Sequence, residues 1–223
     1  MARVTFWNVR GTIGDVCGPR VAPKGRSGWA GHVLKGSDVV VLTESGYVEA
    51  THSALMREWE EVEGWTRVVC TQRPHDPWHG GVAVFVRNGG CVKAQLVKDR
   101  AEMGMAWVRL TVGGGRVVHM AACYLPPESS SYYGLERGAL SLDEHYADLH
   151  KHVAQYAARG EVLIVGDLNA RTGDKSDREE GAVGGILGQL MGQIDAGVGI
   201  CVGGRQSSDR VFGGGEKVVG AVS

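Results

Sequence analysis

The sequence predicts an α/β (α+β) fold: two mixed β-sheets packed face to face with helices outside, a four-layer αββα sandwich. Three observations lead there. The chain opens strand-helix-strand, continues through several antiparallel-looking β-branched runs, and returns to helix-strand. Its 223 residues suit one domain. No internal repeat, low-complexity tract or linker divides it, so residues 1–223 read as a single domain.

The elements follow in order. Val4 to Val9 is a buried first strand, and Gly11 to Gly28 is a Gly/Pro/Arg loop. A short helix is expected over Ser27 to Leu34. Asp38-Val-Val-Val-Leu-Thr-Glu is a β-branched run ending in polar residues, as a central strand with a functional carboxyl end would be. Val48 to Trp59 reads as helix. Strands are expected over Thr66–Thr71, Gly81–Val86, Val92–Val97, Met105–Val112 and Val117–Tyr124, with Gly113-Gly114-Gly115 a hairpin signal between the last two.

The clearest helix runs from Ser141 to about Arg159. Ser141 and Glu144 form a capping-box pattern. Leu142, Tyr146, Leu149, Val153 and Tyr156 make one apolar stripe, and the spacing puts His145, Asp148, His152, Gln155 and Arg159 on a solvated face. The three histidines 145, 150 and 152 include no i,i+4 pair, which argues against a metal site. Glu161 to Val165 is another buried strand, running into Gly166-Asp167-Leu168-Asn169. Beyond Arg171 the pattern gives glycine-rich and acidic loop, with one weak helix near Ile186–Ile194.

Composition narrows the function classes. Hydrophobic residues at 43% and charged residues at 22% describe a folded chain, not a disordered one. A formal charge of −1 and a pI near 6.7 exclude a generally basic, histone-like binder while leaving room for a local phosphate site. The cysteines, Cys17, Cys70, Cys91, Cys123 and Cys201, contain no C-x-x-C pair, so neither a disulfide framework nor a zinc ribbon is expected. The N-terminus has no apolar core of a signal peptide, and no run reaches the ~18 apolar residues of a membrane span. The expectation is a soluble intracellular protein, the nucleus being a candidate compartment, with no membrane partner and no small-molecule cofactor.

Polar clusters sit where predicted strands end: Trp7-Asn8-Val9-Arg10-Gly11, Leu42-Thr43-Glu44-Ser45, Cys123-Tyr124-Leu125-Pro126-Pro127 and Gly166-Asp167-Leu168-Asn169-Ala170-Arg171. Strand ends are where loops carry side chains on a rigid base. Two carboxylates and two carboxamides converging there would be oxygen-rich, which is the ligand chemistry of Mg²⁺. Singly, an Asn or an Asp-x-Asn is turn chemistry. Glu44 says more, because a charge ending a buried strand needs a partner.

The order of these clusters resembles the endonuclease/exonuclease/phosphatase superfamily, and within it the apurinic-type endonuclease domain of non-LTR retrotransposons. Phe6-Trp7-Asn8-Val9-Arg10-Gly11 is similar to that family's first-strand asparagine motif, and Leu42-Thr43-Glu44-Ser45 to its metal-binding glutamate motif. Gly80-Gly81-Val82-Ala83-Val84-Phe85-Val86 resembles a core strand, Tyr124-Leu125-Pro126-Pro127 the tyrosine motif, and Gly166 to Arg171 the "GDFNA" block. Arg205-Gln206-Ser207-Ser208-Asp209 is similar to a stretch in retroelement members. The resemblance implies metal-dependent hydrolysis of a phosphodiester, with DNA as partner and Mg²⁺ (or Mn²⁺) as cofactor. It implies Glu44 as metal ligand with Asn8 close by, Asp167 acting on the attacking water, and Asn169 and Tyr124 on the phosphate. Arg10 and Arg171 would bind substrate.

The family pattern ends in a strand of Ile-Asp-Tyr type and a terminal Ser-Asp-His. Here the final histidine is His152, ahead of Asp167. Asp195 and Asp209 follow in neither context, and His75, His79 and His119 are unconvincing substitutes. The expectation is therefore a truncated domain with an incomplete second sheet, whose DNA nicking is impaired. Two alternatives stay open: an inactive remnant that at most binds nucleic acid, and a phospholipid or inositol-phosphate phosphoesterase of the same superfamily.

Overall fold

The computed structural model describes residues 2–9, 36–72, 80–126, 141–168, 198–202 and 217–222. The expected helices at Ser27–Leu34 and Ile186–Ile194 lie outside them, as do His75 and His79.

The first sheet contains β1 (Ala2–Asn8), β2 (Val39–Thr43), β3 (Trp65–Cys70) and β4 (Val82–Arg87), and helix α1 (Glu49–Glu63) joins β2 to β3. The second sheet contains β5 (Lys93–Arg100), β6 (Met105–Thr111), β7 (Val117–Tyr124) and β8 (Glu161–Asp167), with helix α2 (Leu142–Ala157) before β8. Two further strands, β9 (Val198–Val202) and β10 (Lys217–Val222), complete the described set. The spatial orders are β10-β1-β2-β4-β3 and β5-β6-β7-β8-β9. Each sheet is mixed. β1 and β2 are parallel, as are β7, β8 and β9, and the remaining pairs are antiparallel.

Strand alternation builds the layers. On β2, Val39 and Val41 point into the space between the sheets, while Val40 and Leu42 point toward α1. On β4, Val82, Val84 and Val86 take the first side, Ala83 and Phe85 the second. On β6 and β7, Val108, Leu110, Met120 and Ala122 face the first sheet, whereas Met105, Trp107, Ala121 and Cys123 face α2. Three separate apolar cores result, one at each interface of four layers: α1, first sheet, second sheet, α2. The predicted αββα sandwich is the observed one. Residues buried on both faces of a strand each contribute on the order of 1.5–3 kcal/mol per large side chain, and all five of β2 are buried.

α2 starts where its capping box predicts. Ser141 Oγ accepts the Glu144 N–H, and the Glu144 carboxylate accepts the Ser141 N–H at 2.6 Å. Ser141→Ala should cost about 1 kcal/mol of stability, read as a lower urea midpoint at unchanged slope.

The solvated face assigned to α2 needs correction. His150, Gln155 and Arg159 are exposed, but His145 and His152 are 0% and 2% exposed. Positions 145, 149, 152 and 156 recur at four and three residues and share one side, so both histidines border the apolar stripe. The helix sinks far enough into the second sheet to cover them. One nitrogen of each imidazole is engaged locally: His145 Nδ1 meets the Ser141 carbonyl and His152 Nδ1 the Asp148 carbonyl, both at 2.8 Å. Lys98 Nζ lies 2.8 Å from His152 Nε2, which fixes that nitrogen as the acceptor. His119 packs as well, its ring stacked on Tyr156 at 5.0 Å.

Candidate active site

β1 and β2 run parallel in one sheet, β7 and β8 in the other, and all four carboxyl ends meet at one edge of the sandwich. In the ladders Asn8 pairs with Thr43, and Tyr124 pairs with Asp167. The last residues of the four strands therefore belong to the four clusters that sequence marks.

Three side chains make direct contact. Asn8 shares the inter-sheet face of β1 with Val4 and Phe6, and Asp167 shares that of β8 with Val165. They meet across the gap between sheets: Asn8 Nδ2 donates to Asp167 Oδ2 at 2.9 Å. The same nitrogen donates to Glu44 Oε1 at 2.8 Å. One carboxamide thus holds two carboxylates from opposite sheets. Only a donor serves here, because a third acceptor would add repulsion where the amide supplies two hydrogen bonds.

Glu44 reaches this point through an unusual backbone. By alternation it belongs with Val40 and Leu42, on the α1 side of β2. Its φ of 49° lies in the left-handed region, and it is the one non-glycine residue there among the described residues. The turn carries its carboxylate over to Asn8. Such a conformation costs of order 1 kcal/mol or more and persists only where the surroundings fix it. They do: Ser45 N–H donates to the Gly81 carbonyl and Gly46 N–H to the Gly80 carbonyl at 3.0 Å. Gly81 has φ +79°, and a Cβ on it would sit 2.6 Å from the Thr71 carbonyl oxygen and 2.9 Å from Ser45 Oγ. The Gly80-Gly81 pair is therefore the clamp on the Glu44 turn.

Asp167 is held as firmly. Gly166 has φ +150°, and its position leaves no space beside the Cys123 carbonyl. The Asp167 carbonyl accepts Leu125 N–H at 2.9 Å, and Tyr146 of α2 donates its hydroxyl to the Leu168 carbonyl at 3.2 Å. Burial, followed by the nearby Cys123 and Asp167, pushes the Tyr146 phenol up to about 12, so it stays protonated and donating. Burial does the same to the Cys123 thiol, also about 12, which keeps it an unreactive core residue. Tyr124 is buried beside Asp167 on the inter-sheet face, with Ala122 and Met120. Its backbone is pinned: Tyr124 N–H donates to the Gly104 carbonyl at 2.7 Å.

Of the seven residues expected from sequence, the structure brings Asn8, Glu44 and Asp167 into contact and sets Tyr124 on the neighbouring strand. Asn169, Arg10 and Arg171 lie outside the described residues. Sequence reading missed Tyr146, taken there only as part of an apolar stripe. The signal available was its type, since a buried tyrosine needs a partner for its hydroxyl. It also passed over Thr43 and Ser45, buried hydroxyls flanking Glu44 with no hydrogen-bond partner among the described residues.

Among the described residues no three His, Cys, Asp or Glu side chains cluster as a metal site. What the site offers is two carboxylates and a carboxamide. Glu44 Oε2 accepts no hydrogen bond among the described residues, beside a second carboxylate on the same amide. The two carboxylates, one with an uncommitted oxygen, fit a hard divalent cation, which takes one or two protein carboxylates and completes its shell with water and phosphate.

No family model matches the chain, and no curated protein does. Solved structures do. ANGEL2, a 2',3'-cyclic phosphatase in complex with adenosine-2',3'-vanadate, aligns with a TM-score of 0.50 at 15% identity, over 78% of this chain and 55% of that one. The catalytic domain of human nocturnin with bound sulfate gives 0.49 at 16% identity, over 76% of this chain and 65% of that one. An endonuclease/exonuclease/phosphatase from Beutenbergia cavernae gives 0.44 at 21% identity, over 78% and 48%. The chain shares the fold of ANGEL2. At these identities the likeness is one of architecture, and the chain spans less than two thirds of each of these proteins. Within that fold, the Asn8–Glu44–Asp167 contact lies at the meeting of the two parallel strand pairs. No helix among the described residues is long and apolar enough to cross a membrane.

Proposed function

We propose that this chain is a metal-dependent phosphodiesterase that nicks DNA, of the retroelement endonuclease type. The observation that carries the reading is the Asn8 carboxamide holding Glu44 and Asp167 together across the sandwich. Glu44 would hold Mg²⁺ or Mn²⁺, with Asn8 beside it. The bound ion supplies charge screening at the phosphate and a more acidic water.

The chain's own groups do the rest. Asp167 orients the attacking water and accepts its proton, while the Asn8 N–H group holds the carboxylate in place. Tyr124 and Asn169 donate to phosphate oxygens, adding no negative charge near the phosphodiester. Arg10 and Arg171 would bind the substrate, as the family resemblance implies. Nicking is read with supercoiled plasmid as substrate and enzyme in excess.

Two measurements test this. Magnesium titration followed by NMR should shift residues at the four strand ends, weakly, and Glu44→Ala should remove the response. Identical responses in both proteins would defeat the metal assignment. In the plasmid assay, Asp167→Asn should lower the Mg²⁺-dependent nicking by ~10² or more. Hydrolysis of adenosine-2',3'-cyclic phosphate in place of DNA would keep the chemistry and overturn the substrate.

A further inference from the structure

The turn after β8 has a support that the proposed chemistry leaves unexplained. Asp167 is the last residue of its strand, and a strand end is free to swing unless something anchors the next peptide. Among the described residues the main-chain anchors stop at Asp167 itself: Gly166 lies flat against Cys123, and Leu125 N–H binds the Asp167 carbonyl. Beyond it, the Leu168 carbonyl is bound by a side chain, the Tyr146 hydroxyl, at 3.2 Å in a buried contact. Tyr146 is 2% exposed and Leu168 1%, and both belong to the core beneath α2. A buried carbonyl without a donor is costly. Were that donor lost, the cheapest remedy would be to rotate the Leu168 peptide toward solvent, which moves Asp167.

We infer that Tyr146 is a positioning residue for Asp167: by holding the Leu168 carbonyl, its hydroxyl keeps the Asp167 carboxylate on the Asn8 amide. The chain of contacts is continuous, from α2 through Tyr146, Leu168 and Asp167 to Asn8 of the opposite sheet. The protonation state suits the role, since burial pushes the phenol up to about 12 and leaves it protonated at neutral pH. The inference rests on the phosphodiesterase reading only for its kinetic consequence.

The experiment is Tyr146→Phe in the full chain, with Tyr156→Phe as control. Tyr156 lies on the same stripe, is 3% exposed, and packs its ring against Trp107, His119 and His152. The primary readout is the Asn8 side-chain NH₂ pair in an ¹⁵N–¹H spectrum. In Tyr146→Phe its two signals should move and broaden as the bond to Asp167 loosens; in Tyr156→Phe they should stay in place. The second readout is kinetic. Tyr146→Phe should lower kcat ~10–10²-fold with KM unchanged, since displacement of about 1 Å suffices for that. Unchanged Asn8 signals in Tyr146→Phe, or equal changes in both variants, would overturn the inference. A wild type that hydrolyses no phosphodiester would sink the proposed function, and the Asn8 signals would still decide Tyr146.

Discussion

Gly166→Ala should destroy most of the stability of this protein. A Cβ at Gly166 would stand 1.9 Å from the Cys123 carbonyl oxygen, 2.8 Å from its carbon and 2.9 Å from its nitrogen. All three are backbone atoms of β7, so no side-chain rotation gives relief. The φ of +150° adds a conformation that side chains avoid. Nor can the strands part cheaply. β7 and β8 are inner strands of the second sheet, paired in register from Val118–Glu161 to Tyr124–Asp167, with both faces buried. Separating them opens two of the three cores. The cost should exceed ~4 kcal/mol, the range reserved for overpacking and forced backbone strain, out of a total near 5–15 kcal/mol. Gly113→Ala is the control, because a Cβ there meets nothing within 4 Å. Urea unfolding should show a collapsed midpoint, or no cooperative transition, for Gly166→Ala, and a small change for Gly113→Ala. A loss below ~1 kcal/mol at Gly166 would mean that the β7–β8 register yields easily and does not fix Asp167.

Much of this architecture is written locally. Val39 to Leu42 declares a strand buried on both sides, because its neighbours in either direction are apolar at every position. Ser141 and Glu144 declare a helix start, because the cap is a local hydrogen-bond exchange. What sequence could not give depends on packing. β9 and β10 are short and interrupted by glycine, at Gly199 and Gly220, so alternation carries little signal. They form because β8 and β1 present edges to pair with. His145 and His152 were misplaced for a related reason: a helical wheel gives angles, but the depth of the groove decides how wide an arc is covered.

The site divides in the same way. Glu44 was conspicuous as a charge ending an apolar strand, and Gly166 and Asp167 as a strand running into a turn. Yet Asn8 and Asp167 stand 159 positions apart, and nothing local joins them. Their contact follows from two sheets packing at one angle and register, so it is legible only through the order of motifs. The left-handed turn at Glu44 is invisible in the sequence, since glutamate has no preference for it. It is legible afterwards in the Gly80-Gly81 clamp, which sequence reading took for a strand start.

Asn8→Asp should turn the centre of this site from a bridge into a repulsion. The substitution keeps size and shape but exchanges an NH₂ donor for an acceptor, placing a third carboxylate where Glu44 and Asp167 already converge. Ionised together, the three cannot all be accommodated, and like charges raise carboxyl pKa values in the folded state. The sign of the pH effect follows. A carboxyl with a raised folded pKa binds more protons folded than unfolded, so folding loses stability as pH rises through the unfolded value near 3.9 toward the folded one. N8D should therefore approach wild-type stability near pH 4 and fall below it toward pH 7, by about 1.4 kcal/mol for each unit by which the pKa is raised. Asn8→Ala, which removes the bridge without adding charge, should show a smaller loss with a weaker pH dependence. Divalent cation should then restore stability without restoring function. Mg²⁺ screens the three carboxylates and binds only the folded state, so it should raise the thermal midpoint of N8D more than that of wild type. The nicking should still drop by ~10² or more, since the amide that sets Asp167 is gone. Thermal melts at pH 4.5 and 7.0, with and without millimolar Mg²⁺, are the measurement. If N8D and wild type differ by the same amount at both pH values, or gain equally from Mg²⁺, Glu44 and Asp167 do not feel a charge placed at position 8, and the site is not a cation site.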